Sequence, residues 1–457
     1  MPDFFLSRRA LLNAAAALPF AGLPLAVGQS ARADIFPAES LVLENGLTVV
    51  VTTNRRVPLA TQLLLYRVGA ADEPPGKSGI AHFLEHLMFK GTRRHPAGVY
   101  SAAVAAVGGQ ENAFTGQDYT GYWQTVPKSS IETVMAFEAD RMLNLALDDA
   151  GVLPERQVIL EERRSRIDNR PGAQLREAQM ASLFRNHPYG IPVIGWEREM
   201  RGLTAGDALG FYDSWYGPQN AILILGGDLN LSEALPLVKR TYGGLTRRGR
   251  DRRTRPREPV SLTARRTELS SPLAAEPQFS RIYLVPHRSE LGPGDIEALQ
   301  LLSILLGGGD TSRLYRELVL GRRLAIAAGS YDQGQGQVLD YPTLSLYARP
   351  VPGVEPAALE QEIDAEIARF LEEGAAATAL DEAKDRLNAA AVFVRDDPKM
   401  APRVIGTAMA VGDSLATIQS WPERVAAVTP EQVNTLAHRI LQPRRSVTGI
   451  LHPERPA

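Results

Sequence analysis

Midway along this chain, a pattern of strands and helices stops at a knot of arginines and then starts again, and that restart constrains the fold more than any other feature. Before the knot, Leu41-Val42-Leu43, a turn at Glu44-Asn45-Gly46 and Leu47-Thr48-Val49-Val50-Val51 read as strand, turn, strand. Thr61 to Val68, Tyr119 to Val126 and Ala221 to Leu225 are further strands. Ser78 is placed to cap a helix running to Phe89, and helices are expected over Val99 to Val107, Ser129 to Leu147 and Pro154 to about Ile167. Seven arginines, Arg247, Arg248, Arg250, Arg252, Arg253, Arg255 and Arg257, then crowd one prolyl stretch. A polyanion site is one reading of them. A solvated, charged linker is the expectation, because arginines among prolines pack poorly. Beyond it Ile282 to Val285 and Thr343 to Tyr347 are strands, and Ile296 to Leu306, Pro356 to Glu373 and Thr378 to Val394 are helices. Two related α+β domains follow, at 34–245 and 263–457, joined by a linker at 246–262. With 457 residues the chain is too long for one core.

The N-terminus reads as a leader. Arg8-Arg9 precedes an apolar, alanine-rich run to about Val27, and Ala31-Arg32-Ala33 offers a small-x-small cleavage site before Asp34. Pro19 and Pro24 interrupt the run, which is short for a membrane span. A twin-arginine signal peptide at 1–33 and a periplasmic or otherwise exported protein, without stable membrane insertion, are expected. The net charge of −2 carries no nucleic-acid signature. There are no cysteines, so disulfides, thiol nucleophiles and thiolate metal sites are excluded. Gly307-Gly308-Gly309 lacks the Lys-Ser/Thr of a phosphate loop.

His82-Phe83-Leu84-Glu85-His86 is an H-x-x-E-H pattern. On a helix, the two histidines lie one turn apart on one face and can reach a single ion. Glu85 points about a hundred degrees away from His86, beside the ion rather than onto it. The flanking residues are apolar, so the helix is expected to be buried. Ionisable groups there are costly unless a metal compensates them. The same residues would otherwise be the polar stripe of an amphipathic helix.

A third ligand must be His, Asp or Glu. His95, His187, His287, His438 and His452 fall in loops, tails or the other domain, which leaves the helix carrying Glu161 and Glu162. Helical spacing puts Glu155, Val158, Ile159 and Glu162 on one stripe, with Glu161 off its centre. A stripe holding Val158 and Ile159 should face inward, so Glu162 is the expected ligand and Glu155 the group orienting a histidine or water. One Zn²⁺ per chain is expected, with Glu85 as general base in metal-assisted hydrolysis of a peptide bond.

The inverted motif, with Glu162 placed 76 residues after His86, resembles the pitrilysin, insulin-degrading enzyme and mitochondrial processing peptidase family. Gly108-Gly109 before Asn112-Ala113-Phe114-Thr115, His187-Pro188-Tyr189-Gly190, Phe211-Tyr212 to Tyr216-Gly217-Pro218, Leu306-Gly307-Gly308 and Ser312-Arg313-Leu314-Tyr315 extend it over nearly the whole mature chain. The resemblance implies domains with mainly antiparallel sheets, forming half of a clamshell that closes on an unfolded peptide. It also implies that Asn112, Ala113 and Phe114 lie on an edge strand that pairs with substrate backbone. Phe114 has the alternative role of a core aromatic.

In one respect the chain departs from the family. Val319 and Ile326 stand where active members resemble one another in carrying an arginine and a tyrosine. The expectation is a zinc subunit of a heterodimer whose related partner supplies that pair, with a homodimer less favoured. The alternative is a metal-binding scaffold subunit that has lost catalysis.

Overall fold

Runs of β-branched residues and leucines build the first sheet. The computed structural model describes residues 37–454 apart from 335 and 398, so the leader expected at 1–33 lies outside the described residues. The strands are β1 (Ala38–Val42), β2 (Thr48–Thr53), β3 (Leu59–Tyr66), β4 (Gln110–Thr115), β5 (Thr120–Pro127) and β6 (Ala221–Gly227), in the order β1-β2-β6-β3-β5-β4. β2 and β6 are parallel. All other neighbours are antiparallel. The second half forms β7 (Arg265–Ser271), β8 (Gln278–Leu284), β9 (Ala325–Gln333), β10 (Thr343–Pro350) and β11 (Ser446–Pro453), in the order β7-β11-β8-β10-β9. Its one parallel pair is β7 with β11. Strand for strand, β2-β6-β3-β5-β4 maps onto β7-β11-β8-β10-β9, and β1 is an addition at one edge. The restart in the sequence is thus a repeat of topology in a mixed α+β protein.

The first half contributes helices α1 (Ile80–Leu87), α2 (Val99–Ala106), α3 (Ile131–Asn144), α4 (Asp149–Arg163), α5 (Pro171–Leu183), α6 (Ala205–Trp215) and α7 (Leu231–Thr241). The second contributes α8 (Asp295–Gly307), α9 (Pro356–Glu373), α10 (Ala377–Asp396), α11 (Met400–Ala410) and α12 (Pro430–Ile440). Each sheet has its own core on one face. Val49, Val51, Leu64 and Tyr66 pack with Phe83, Leu84 and Ile159 in the first. Phe279, Tyr283, Leu344 and Leu346 pack with Leu302, Ile363 and Ile440 in the second.

The opposite faces are covered by exchange. Val50, Leu63, Leu65, Ile222 and Ile224 of the first sheet pack against Ala401, Ile405 and Ala408 of α11, a helix of the second half. Gly406 lets α11 lie close, since a Cβ there would sit 2.4 Å from Leu65 Cδ1. Reciprocally, Leu183 of α5 packs on Ile282, Leu284 and Val447 of the second sheet. Gln179 Nε2 on the same helix donates to the Val447 carbonyl at 3.2 Å. Burial on both faces accounts for the unbroken apolar runs Leu63-Leu64-Leu65 and Ile222-Leu223-Ile224-Leu225. Each such side chain contributes about 1.5–3 kcal/mol when buried, so parting the halves would be costly.

The arginine-rich stretch corrects an expectation, because it is not a solvated tether. The Arg248 guanidinium lies 4.2 Å from the centre of the Tyr212 ring and donates to the carbonyls of Met142 and Tyr216. Arg253 donates to the carbonyls of Asp118, in the first half, and Ala410, in the second. Arg255 is buried among Asp72, Asp118 and Asp340. Carboxylates and carbonyls from both halves compensate the buried guanidinium groups, so the segment is a strap pinned on both sides. Among the described residues, no helix is long and apolar enough to cross a membrane.

Candidate metal centre

Helix α1 carries the motif and starts at Gly79, whose φ of 86° is left-handed. A Cβ there would lie 2.6 Å from the Ile194 carbonyl oxygen, so only glycine fits. Ser78 is not the cap expected from the sequence. Its hydroxyl accepts instead from the Trp196 N–H. The Glu73 carboxylate takes the open N–H groups of Gly79 and Ala81, both at 2.9 Å, and so closes the helix end from outside. Ile80, Ala81, Phe83, Leu84 and Leu87 are buried, which fixes the face on which His82 and His86 stand.

Helix α4 starts before Pro154, at Asp149, with the Asp148 side chain accepting from the Gly151 N–H. Its buried residues are Val152, Ile159, Leu160 and Arg163. Val158, expected to face inward, is 49% exposed. The buried stripe is centred nearer Ile159 and Arg163, so Glu155 and Glu162 lie on its rim, where the helix surface opens. Glu161 points outward and pairs with Arg164.

The rim brings the acidic groups to the histidines. His82 Nε2 and His86 Nε2 lie 3.4 and 3.2 Å from Glu162 Oε2. One ligand atom from each of the three residues falls within 4.8 Å of the others, and among the described residues no other such group of His, Asp and Glu occurs. Tetrahedral ligands about 2.0–2.1 Å from zinc stand about 3.3–3.4 Å from one another, so both edges to Glu162 suit such an ion. Imidazole nitrogen and carboxylate oxygen are donors that zinc accepts. Glu155 Oε1 lies 2.9 Å from His86 Nδ1 and its other oxygen pairs with Lys90, which leaves His86 Nε2 directed at Glu162. His82 Nδ1 is buried without a hydrogen-bond partner.

The electrostatics leave two of the three groups ready to ligate and a proton on the third. Burial, reinforced by His86, lowers the His82 imidazole to about 4, so it is neutral at physiological pH. Burial also pulls on His86, but its hydrogen bonds with Glu155 and Glu162 prevail and lift it to about 9. Glu162 is held at about 2 despite burial, because the His86 hydrogen bond and the neighbouring cationic groups stabilise its anion.

Glu85 belongs to α1 but not to the ligand trio. Burial raises it to about 7, against the opposing hydrogen bond from the Thr115 hydroxyl at 2.5 Å. Thr115 ends β4, the edge strand of the first sheet, so the same strand that carries Asn112, Ala113 and Phe114 touches Glu85. Those three residues present an edge whose outer side has no strand neighbour among the described residues. The Phe114 ring packs with Tyr119 and under Arg403, 4.4 Å from its centre. Asn112 accepts from the Ala113 N–H at 2.8 Å. Val319 packs against the second core, and Ile326 lies 44% exposed on β9.

Sequence reasoning missed Glu73, Lys90, Thr115 and Arg166. Arg166 Nη1 lies 2.8 Å from Glu162 Oε1. Its i,i+4 spacing from Glu162 is the one local signal that could have found it.

Comparison with known proteins gives the family and the fold. Residues 48–196 match the model of the insulinase family (peptidase family M16), and residues 202–387 match that of the peptidase M16 inactive domain. The zinc protease PqqE of Helicobacter pylori is 34% identical over 333 residues, 71% of this chain and 72% of that protein. An uncharacterised zinc protease of Mycobacterium leprae is 31% identical over 413 residues, 88% of this chain and 89% of that one. A protease of Helicobacter pylori of known crystal structure aligns with a TM-score of 0.83 and 29% identity, over 92% of this chain and all of that one. Pitrilysin shares the fold, with a TM-score of 0.77 at 16% identity over 94% of this chain and 46% of its own.

Proposed function

The chain belongs to the insulinase family of peptidases (family M16), and on that premise we propose that it is an exported zinc-dependent peptidase acting on peptides or unfolded segments. The observation that carries this reading is the convergence of His82 Nε2, His86 Nε2 and Glu162 Oε2, with a separate carboxylate, Glu85, on the same helix.

His82, His86 and Glu162 would hold the ion. When bound, zinc supplies Lewis acidity, polarising the scissile carbonyl and making water a nucleophile near neutral pH. The rest falls to the chain's own groups. Glu155 keeps the His86 ring turned so that Nε2 faces the site. Glu85 takes the water proton on its carboxylate and returns it to the leaving amine, and its pKa of about 7 suits both directions of transfer. Thr115 holds that carboxylate in place through its hydroxyl. The open edge of β4 pairs with the backbone of an extended peptide and lays it beside Glu85. Asn112 and Ala113 take part through their main chain, and Phe114 supports the strand from behind.

Val319 and Ile326, in place of an arginine and a tyrosine, support a further element of the proposal: a related subunit completes the site in a heterodimer that closes as a clamshell. The same feature favours the second reading, a metal-binding scaffold with little activity of its own. The leader-like residues 1–33 support export to the periplasm.

Metal analysis and cleavage of a quenched fluorogenic peptide test the proposal. The expected result is about one zinc per chain and cleavage that Glu85→Gln abolishes, enhanced by a related subunit bearing the arginine and tyrosine. A zinc-loaded protein with no Glu85-dependent cleavage, even with that subunit present, would leave the scaffold reading. Full activity of the chain alone would remove the heterodimer.

A further inference from the structure

Three arginines follow Glu162, and they have different fates. Arg163 is buried, bound to both oxygens of Glu177 and to the Gly195 carbonyl. Arg164 pairs with Glu161 on the outer surface. Arg166 turns back to the metal centre, where Nη1 lies 2.8 Å from Glu162 Oε1. That oxygen is the one that does not face the histidines. The turn carrying Arg166, Arg164–Asp168, is wound as a π-helix, an irregularity that recurs at functional sites.

The contact uses one edge of the guanidinium. The side chain remains 53% exposed, and no other carboxylate pairs with it among the described residues. Its contact is with Glu162, which converges with His82 and His86, so it stands at the edge of the metal centre. Val158, three residues after Glu155 and four before Glu162 on the same helix, is exposed as well. A planar guanidinium with one edge committed and one edge open matches a carboxylate better than any neutral group.

We propose that Arg166 is a specificity-determining residue whose open edge binds a carboxylate of the peptide, within a residue or two of the bond presented to Glu85. The inference rests on the peptidase reading of the site. The carboxylate belongs either to an Asp or Glu side chain or to the peptide's own C-terminus. An exposed pair is worth little, but a peptide lying over the site excludes water and strengthens the contact.

The test measures binding without turnover, using the zinc-loaded full chain with Glu85→Gln. Three fluorescent peptides are compared: acid-flanked with an amidated end, neutral with a free C-terminus, and neutral with an amidated end. Zinc affinity is measured for every variant by chelator competition. The acid-flanked or the free-ended peptide should bind about 10- to 100-fold tighter than the neutral amidated one, and whichever does so identifies the source of the carboxylate. Arg166→Gln should collapse that ratio, and Arg166→Glu should turn it in favour of a lysine-flanked peptide. No difference among the three peptides overturns the proposal. So does an equal loss for all of them in Arg166→Gln together with weakened zinc binding, which would make Arg166 a brace for Glu162 only. Because binding is read without cleavage, a wild-type protein that cut nothing would count against the peptidase reading alone.

Discussion

Replacing Glu155 with Gln should weaken zinc binding more at alkaline pH than near neutrality. Two effects of opposite sign meet at His86. Glu155 holds the ring through Nδ1, and loss of such an outer partner typically costs about 10- to 100-fold in metal affinity, or about 1.4–2.7 kcal/mol. The same carboxylate also lifts His86 to about 9 and so favours the proton that must leave before Nε2 can ligate. In the ion-free protein at about pH 7.5, displacing that proton costs about 2 kcal/mol, one and a half units at about 1.36 kcal/mol each. His82 at about 4 and Glu162 at about 2 are already deprotonated there, so one proton should leave per ion. Wild-type affinity should therefore rise about tenfold per pH unit up to about pH 9 and then level off. Glu155→Gln removes part of the obstacle along with the support, since the Glu162 hydrogen bond still favours the proton. Its deficit should be about 10- to 100-fold above pH 9 and shrink toward pH 7. Competition with a fluorescent chelator across this range reads both curves. A deficit that is constant with pH, or that widens toward acid, would refute the assigned balance between proton and metal at His86.

Thr115→Val removes the hydroxyl that stabilises the Glu85 anion, so the acid limb of kcat/KM should move to higher pH, as a pH–rate profile would record. Arg255→Ala leaves Asp72, Asp118 and Asp340 without their shared cation and should lower stability by about 3–5 kcal/mol in urea titration. A loss under about 1 kcal/mol would mean that the strap is held by other contacts. Glu162→Gln should lower zinc affinity by more than the roughly 10- to 100-fold typical of an outer partner, whereas Glu161→Gln, on the exposed side of α4, should leave it unchanged by chelator competition.

The parts of this protein legible in its sequence are those set by local periodicity. His82, Glu85 and His86 sit within two helical turns, so the shared face of the histidines and the place of Glu85 beside it follow from spacing alone. The same arithmetic separated Glu162 from Glu161, and the structure puts Glu162, not Glu161, beside the histidines. It misjudged Val158 because it assumed that functional groups share the centre of a buried stripe. Glu155 and Glu162 occupy the rim, since a carboxylate that meets an ion and a substrate needs an open side. Other features depend on partners distant in sequence. The Arg255 carboxylates come from both halves, one of them 183 residues away, so local composition could only suggest solvation. The exchange of α5 and α11 between sheets was equally hidden. Ala401, Ile405 and Ala408 fall on one face of a helix, but their spacing does not say which sheet that face covers. The cap on α1 was assigned to Ser78 by residue type, while Glu73 reaches it across a turn that spacing does not encode.

The proposed chemistry depends on one ion held by two turns of α1 and the rim of α4. Anomalous diffraction at the zinc edge, from crystals of the loaded protein, addresses it directly. The predicted result is a single peak bonded to Nε2 of His82, Nε2 of His86 and one oxygen of Glu162, about 2.0–2.2 Å from each. A peak located elsewhere, or none in protein soaked with excess zinc, would contradict it.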